Sequence, residues 1–311
     1  MWIASVGHLT IDELRVSGRR ERVPYVGGAA YVAAGASLWG ASVALISAVG
    51  EDARDALVEL RERGVDVGGV AVTDGATLRL TVEGDGADRR FAVVAGDVPA
   101  LEAAWPDLRR VTAHDDASGE VASDEPAFDG CHLGPQIGTA ARRTGARRLA
   151  RRVTADVLVD EHLPAAPYRD GSALRDVDAF LPSDADVVRL WGRPVPAARL
   201  HRDLATAGVG TVVVTLGARG AQVATAAGVV HVPSAVHDPA DPLGAGDGFC
   251  GGYLAGLLAT GDPVEAAVRA TVSAALTVET RGALAAFDAA AGFERDARAH
   301  EVRRGVTPMG V

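Results

Sequence analysis

The sequence predicts an α/β fold built on a mostly parallel sheet, and three observations lead there. Short apolar runs bounded by turn residues recur along the chain, and windows of helical spacing separate them. The runs are apolar throughout, as strands are when helices cover both faces of their sheet. Of the 311 residues, 48% are apolar, enough for a sizeable buried core.

In chain order, "WIASVG" (2–7) is the first strand, "AAYVAAGASLWG" a small-residue helix, and "ASVALISAVG" (41–50) the second strand. Further strands are read at "DGCHLG" (129–134), "TADVLVD" (154–160), "VDAFLP" (177–182) and "GTVVVTLG" (210–217), with helical windows at 138–151 and 196–207. Two segments break that rhythm. Residues 13–26 and 76–95 ("ATLRLTVEGDGADRRFAVVA") alternate with period two, the second around a "GDG" turn, which reads as a β-hairpin. Such a hairpin serves as a lid, a dimer-forming flap or an ordinary edge hairpin. Residues 112–127, "TAHDDASGEVASDEPA", are acidic and without period and are read as a mobile loop, in which no spacing fixes His114, Asp115 and Asp116 on one face. There is no internal repeat.

Net charge is −10, which excludes a binder that relies on neutralising nucleic-acid phosphates. The Arg pairs at 142–143, 147–148 and 151–152 suit a solvated helix face. No apolar window is long enough to span a membrane and the N-terminus lacks a signal-peptide pattern, so a soluble, cytoplasmic protein is expected. The two cysteines, Cys131 and Cys250, stand far apart in apolar surroundings and read as small core residues, offering neither a disulfide framework nor a zinc cluster. All 31 basic residues are arginine, and the chain has no lysine and no asparagine. A P-loop lysine, a protein-kinase strand lysine and a Schiff base are thereby excluded. An anionic substrate must be met by arginine, a metal ion or backbone N–H groups.

The segment "DPLGAGDGF" (241–249) runs into an apolar helix that is expected to start near Asp247, with Phe249, Cys250, Tyr253, Leu254, Leu257 and Leu258 as its packed face. The N–H groups of Gly244, Ala245, Gly246 and Asp247 then lie near the first turn, where the helix dipole favours an anion such as a phosphoryl group. Glycine lets the backbone approach a phosphate closely. Asp247 is either an N-cap, worth about 1 kcal/mol, or a general base for a substrate hydroxyl.

The same segment resembles the D-T-x-G-A-G-D-x-F signature of the ribokinase-like (PfkB-type) carbohydrate kinases, whose final Asp is the catalytic base and whose Gly-Ala-Gly turn is the anion hole. Four further stretches resemble that family in its order: "VGHLTIDEL", "VPYVGGAAYVAAGASLWGASVALISAVGED", "FLPSDADVVRLWG" and "VVVTLGARGAQV". The resemblance implies one kinase domain over 1–311, a Rossmann-like three-layer sandwich with a mostly parallel central sheet and a small β-hairpin lid formed by about 13–26 and 76–95. It implies Asp247 as base, Gly244, Ala245 and Gly246 as anion hole, and Asp12, Gly27, Gly28 and Val32 at the acceptor. Ser183, Asp186, Thr215, Gly217 and Gly220 would line ATP. Asp186 would hold Mg²⁺ through water, and Asp241 would lie near a monovalent cation such as K⁺. The signature Thr is here Pro242, the sugar-binding Asn falls on Val32, and the N-x-x-E segment reads Ser183, Asp184, Ala185, Asp186. Val32 removes a hydrogen-bonding group and moves the expected acceptor away from ribose.

The expected activity is ATP-dependent phosphorylation of a hydroxyl on a small sugar, polyol or nucleoside, with Arg89 or Arg90 on the hairpin as candidate cations and a homodimer through the lid as a possible assembly. Two other classes compete: a catalytically silent relative binding nucleotide or sugar as a regulator, and a purely structural α/β protein.

Overall fold

The computed structural model describes residues 1–16, 19–20, 25–83, 90–106, 126–134, 145–158 and 164–310. Its strands are β1 (Trp2–Val6), β2 (Leu9–Val16), β3 (Arg19–Arg20), β4 (Tyr25–Gly28), β5 (Ser42–Gly50), β6 (Asp66–Thr73), β7 (Arg79–Glu83), β8 (Arg90–Ala95), β9 (Phe128–Leu133), β10 (Ala150–Ala155), β11 (Ala179–Phe180), β12 (Thr211–Thr215), β13 (Ala221–Thr225), β14 (Gly228–Val232) and β15 (Thr307–Met309). The helices are α1 (Ala29–Ser37), α2 (Arg54–Glu62), α3 (Val98–Ala104), α4 (Ala146–Leu149), α5 (Ala166–Arg169), α6 (Asp184–Trp191), α7 (Ala197–Leu204), α8 (Ala245–Thr260), α9 (Pro263–Val278), α10 (Ala283–Ala290) and α11 (Arg295–Arg304).

One sheet runs β15-β14-β13-β12-β11-β10-β9-β1-β5-β6. The seven strands from β12 to β6 are parallel, and β13, β14 and β15 join antiparallel at one end. Neighbouring residues of a strand enter opposite cores, which is why the runs are apolar at every position. Ala4, Ile46, Cys131, Val153 and Val212 pack with helices α4 to α7 on one face. Ile3, Leu45 and Val213 pack with α1, α8 and α9 on the other. This is the expected three-layer arrangement.

A smaller sheet, β3-β2-β7-β8 with β4 also on β2, carries the two period-two segments. Within 13–26, residues 17–18 and 21–24 lie outside the described residues, as do the "GDG" turn and Arg89; Arg90 opens β8.

Helix α8 lies between α1 and α9 and is spaced by glycine. A Cβ on Gly251 would stand 1.9 Å from the Val32 carbonyl oxygen, and one on Gly252 would stand 2.3 Å from Ser273 Oγ. Backbones approach this closely only where side chains are absent. So the glycines after Asp247 serve packing, and those before it need another reason.

Three expectations are corrected. Of the helical window read at 138–151, residues 138–144 lie outside the described ones and α4 covers Ala146–Leu149; β10 then starts at Ala150, four residues before the expected strand, and ends at Ala155. Arg151 and Arg152 are therefore on a strand, exposed at its start, with Arg152 Nη1 3.7 Å from Asp178 Oδ1. Helix α8, expected to start near Asp247, starts at Ala245, because Gly244 at φ +74° caps it in a left-handed conformation.

Candidate active site

The parallel strands end together on one rim. Gly134 N donates to Val6 O at 2.7 Å, Asp156 N to Leu133 O at 3.2 Å and Leu181 N to Ala155 O at 2.8 Å, so each strand end is stepped against its neighbour. Gly7, Gly134, Asp156 and Leu181 thus border one crevice, as the carboxyl ends of strands do in open α/β sheets.

At one side of the crevice β2 leaves β1 and carries Thr10 and Asp12 inward, both buried. Strand β4 returns antiparallel, with Thr10 opposite Gly27 and Leu9 opposite Gly28. Gly27 lies directly over the carboxylate: a Cβ there would stand 2.0 Å from Asp12 Oδ2 and 2.6 Å from Thr10 Oγ1. Gly28, at φ +57°, turns the chain into α1, and a Cβ there would stand 2.1 Å from His8 O. Val32 follows one turn into α1, buried, with its carbonyl against Gly251. The backbone thus brings Asp12, Gly27 and Gly28 together.

Burial raises the Asp12 pKa from 3.8 to about 7, the nearby Thr10 hydroxyl opposing it and the Asp241 charge adding to it. Asp12 Oδ1 has no hydrogen-bond partner among the described residues. A buried carboxylate oxygen with spare lone pairs is suited to accept a ligand hydroxyl.

The glycine turn closes the same crevice. Asp241 Oδ1 accepts from Leu243 N at 2.9 Å, which braces the turn behind Pro242. Gly244 rests on an aromatic face, where a Cβ would stand 2.3 Å from the Tyr31 ring. A Cβ on Gly246 would meet no atom within 4 Å. The packing of the protein therefore requires glycine at 244 and does not require it at 246.

Asp247 occupies the third position of α8 while Gly244 is the cap, with no side-chain capping bond. The capping role for Asp247 is thereby removed. The residue keeps part of its surface open. Burial first, then the carboxylates of Asp156 and Asp12, push its pKa well above the usual carboxylate range. A carboxyl tuned upward beside a cleft is the type of group that performs general-base work near neutral pH. Asp156, which sequence reading missed, enters through the register of β9 and β10.

On the other side, Ser183 pairs with Thr215 in an isolated parallel bridge, which joins the segment before α6 to the end of β12. Ser183 caps α6: its Oγ accepts from Asp186 N at 3.1 Å, and Asp186 Oδ2 accepts from Ser183 N at 3.4 Å. This is a reciprocal capping box. Asp186 Oδ1 lies 3.7 Å from Arg189 Nη1. The carboxylate is thus engaged by the cap and by Arg189, and the oxygens of Ser183 and Asp186 form a donor set of the hard type that a hydrated cation takes. Gly217 and Gly220, at φ +59° and +87°, shape the turn after β12, in which Leu216 N donates to Gly220 O at 2.8 Å. A Cβ on Gly217 would meet nothing within 4 Å. Arg219 in that turn holds Asp184 at 2.5 Å yet is 70% exposed. Arg219 and Arg189 are cations that the sequence reading did not select.

A mostly parallel sheet, a glycine turn opening a helix at its carboxyl rim and a carboxyl beside that turn suit the binding of a phosphorylated small molecule. The profile of the pfkB family carbohydrate kinases matches residues 3–290, and the chain belongs to that family. The cytidine kinase of Thermococcus kodakarensis is 28% identical over 277 residues, 85% of this chain and 91% of that one. Deoxyribokinase of Salmonella typhi is 30% identical over 128 residues, and this chain spans 42% of its length. Among solved structures, fructokinase from Vibrio cholerae O395, with fructose, ADP and calcium ion bound, superposes with a TM-score of 0.71 at 21% identity, over 94% of this chain and 98% of that one. No helix among the described residues is long and apolar enough to cross a membrane.

Proposed function

We propose that the protein transfers the γ-phosphoryl group of ATP to a hydroxyl of a sugar, polyol or nucleoside, as a single kinase domain with the smaller sheet as a lid over the acceptor. Asp12 and the Gly27–Gly28 backbone would hold acceptor hydroxyls. Val32, apolar where the family carries an asparagine, supports an acceptor other than free ribose. Asp247 would take the proton of the attacking hydroxyl, and its pKa, lifted by burial and by two carboxylates, suits that task. The N–H groups of Gly244 to Asp247 would meet charge on the transferring phosphoryl oxygens, with the dipole of α8 behind them.

Ser183, Asp186, Thr215, Gly217 and Gly220 would line the nucleotide, and Asp186 would hold Mg²⁺ through water. Bound there, Mg²⁺ would supply positive charge against the phosphate oxygens. With no lysine in the chain, Arg219 and Arg189 are candidates for the remaining positive charge. Asp241 would sit beside a monovalent cation such as K⁺. A soluble, cytoplasmic enzyme, dimeric through the lid, is the accompanying reading.

The observation that carries this proposal is the contrast within the glycine turn. Gly244 is required by Tyr31, whereas Gly246 faces open space next to a half-open Asp247 with a raised pKa. That arrangement suits close approach of a phosphate to bare backbone. The test is ATP consumption by the purified protein against pentoses, hexoses, inositols and nucleosides. Turnover with one class is expected. ATP binding without turnover on any acceptor would replace the proposal with the regulator reading.

A further inference from the structure

Beneath the glycine turn lies a second group of side chains, of which only Asp156 acts on Asp247. His132 on β9, Asp156 at the end of β10 and Cys250 on α8 place one donor atom each within 4.8 Å of the others. All three are buried, His132 fully. Strand register pairs Thr154 with His132, and their side chains meet at 2.9 Å between Thr154 Oγ1 and His132 Nδ1. That contact fixes the ring and turns Nε2 toward Asp156 Oδ1, 3.5 Å away. Nε2 itself has no hydrogen-bond partner among the described residues.

We propose that His132, Asp156 and Cys250 form a binding site for a divalent transition metal, with Zn²⁺ as the ion of best fit. Tetrahedral zinc has bonds of about 2.0–2.3 Å, which place ligand atoms about 3.3–3.8 Å apart. The His132–Asp156 separation already lies in that range, and the thiol needs a shift of about 1 Å to join them. Imidazole with a thiolate selects zinc or cobalt over magnesium, which takes oxygen ligands. Nδ1 held by a neighbouring group is the usual way a ligating imidazole is oriented. On binding, the Cys250 thiol releases its proton to solvent and the sulfur ligates as thiolate. The ion differs in donors and in place from the Mg²⁺ and K⁺ of the proposed reaction. It would tie the second turn of α8, one turn on from Asp247, to β9 and β10.

The site was hidden in the sequence because its three residues are far apart and Cys250 was read as core filling. The test uses the untagged, metal-stripped full chain. Zn²⁺ is titrated in competition with a chromophoric chelator, and Co²⁺ is titrated with its near-ultraviolet spectrum recorded. One equivalent of Zn²⁺ is expected, with affinity at least about 10-fold weaker in Cys250→Ser and unchanged in Cys131→Ser. Bound Co²⁺ should show the thiolate-to-metal charge-transfer band. Absence of a bound equivalent, bound Co²⁺ without that band, or equal affinity in Cys250→Ser would each overturn the proposal. If Cys250→Ser does not fold, the Co²⁺ spectrum of the unmutated chain decides.

Discussion

The two sides of the crevice are built on opposite electrostatic terms. On the side proposed to take the acceptor, Asp241 acts on Asp12, and Asp156 and Asp12 act on Asp247, so that burial and like charge push the carboxyls of Asp12 and Asp247 up. On the side proposed to take the nucleotide, Asp184 is held by Arg219, and Asp186 by Ser183 and Arg189. The first side stores unfavourable charge that a reaction can use; the second spends its carboxylates on holding the backbone. The division predicts that substitutions on the acceptor side trade stability against activity, whereas those on the nucleotide side lower both.

The largest effect is expected at Asp247. Asp247→Asn keeps the shape and removes the base, so turnover should fall by about 10²–10⁴ with ATP binding largely kept. In the unmutated chain kcat/KM should fall on the acid side at a pH well above 4, since protonation of a carboxyl raised from 3.8 disables it. Turnover unchanged in Asp247→Asn would remove the mechanism.

Next in size is Gly246→Ala. The methyl meets no protein atom within 4 Å, and alanine stabilises a helix position by up to about 1 kcal/mol over glycine, so Tm should hold or rise. Misplacing a phosphate by about 1 Å costs roughly 10²-fold, and kcat should drop accordingly. A loss of Tm would mean that this glycine serves packing as Gly244 does.

Much of this was legible in the sequence, for reasons the structure makes plain. Strands β1, β5, β9 and β12 are buried on both faces, so their apolar runs announce them. The start of β10 was not legible: Arg151 and Arg152 lie at the exposed end of the strand, where polar residues mimic a helix. Asp12, Gly27, Gly28 and Asp247 lie in stretches that resemble family motifs, and the pairing of β2 with β4 brings the first three together. Thr10, Asp156, Arg219 and His132 meet their neighbours only through strand register or turn packing, and no spacing in the chain encodes that.

Asp12→Asn should produce the third effect, with a sign that tests the stored-charge idea. The folded pKa of about 7 exceeds the unfolded 3.8, so the folded state holds the proton more tightly. Stability contributed by that proton is present at low pH and is lost as pH rises from about 4 to about 7. A neutral amide avoids the buried charge, so at pH 8 the variant should melt several degrees higher, on the order of 2 °C per kcal/mol, and its profile between those pH values should be flatter. Acceptor turnover should fall. A lower Tm at pH 8 would mean that Asp12 is satisfied by groups other than those described.

The smallest effect falls on the nucleotide side. Ser183→Ala removes the acceptor for Asp186 N and one arm of the capping box, which costs about 1 kcal/mol and lowers Tm by about 2 °C. The lost bond joins a hydroxyl oxygen to a backbone N–H, neither of which titrates in this range, so the loss should be the same at pH 6 and pH 8. Asp186 would lose its brace, and KM for ATP should rise a few-fold while KM for the acceptor holds. An equal rise in both constants would show that the capping box supports the whole crevice, and the separation of a charged acceptor side from a braced nucleotide side would then fail.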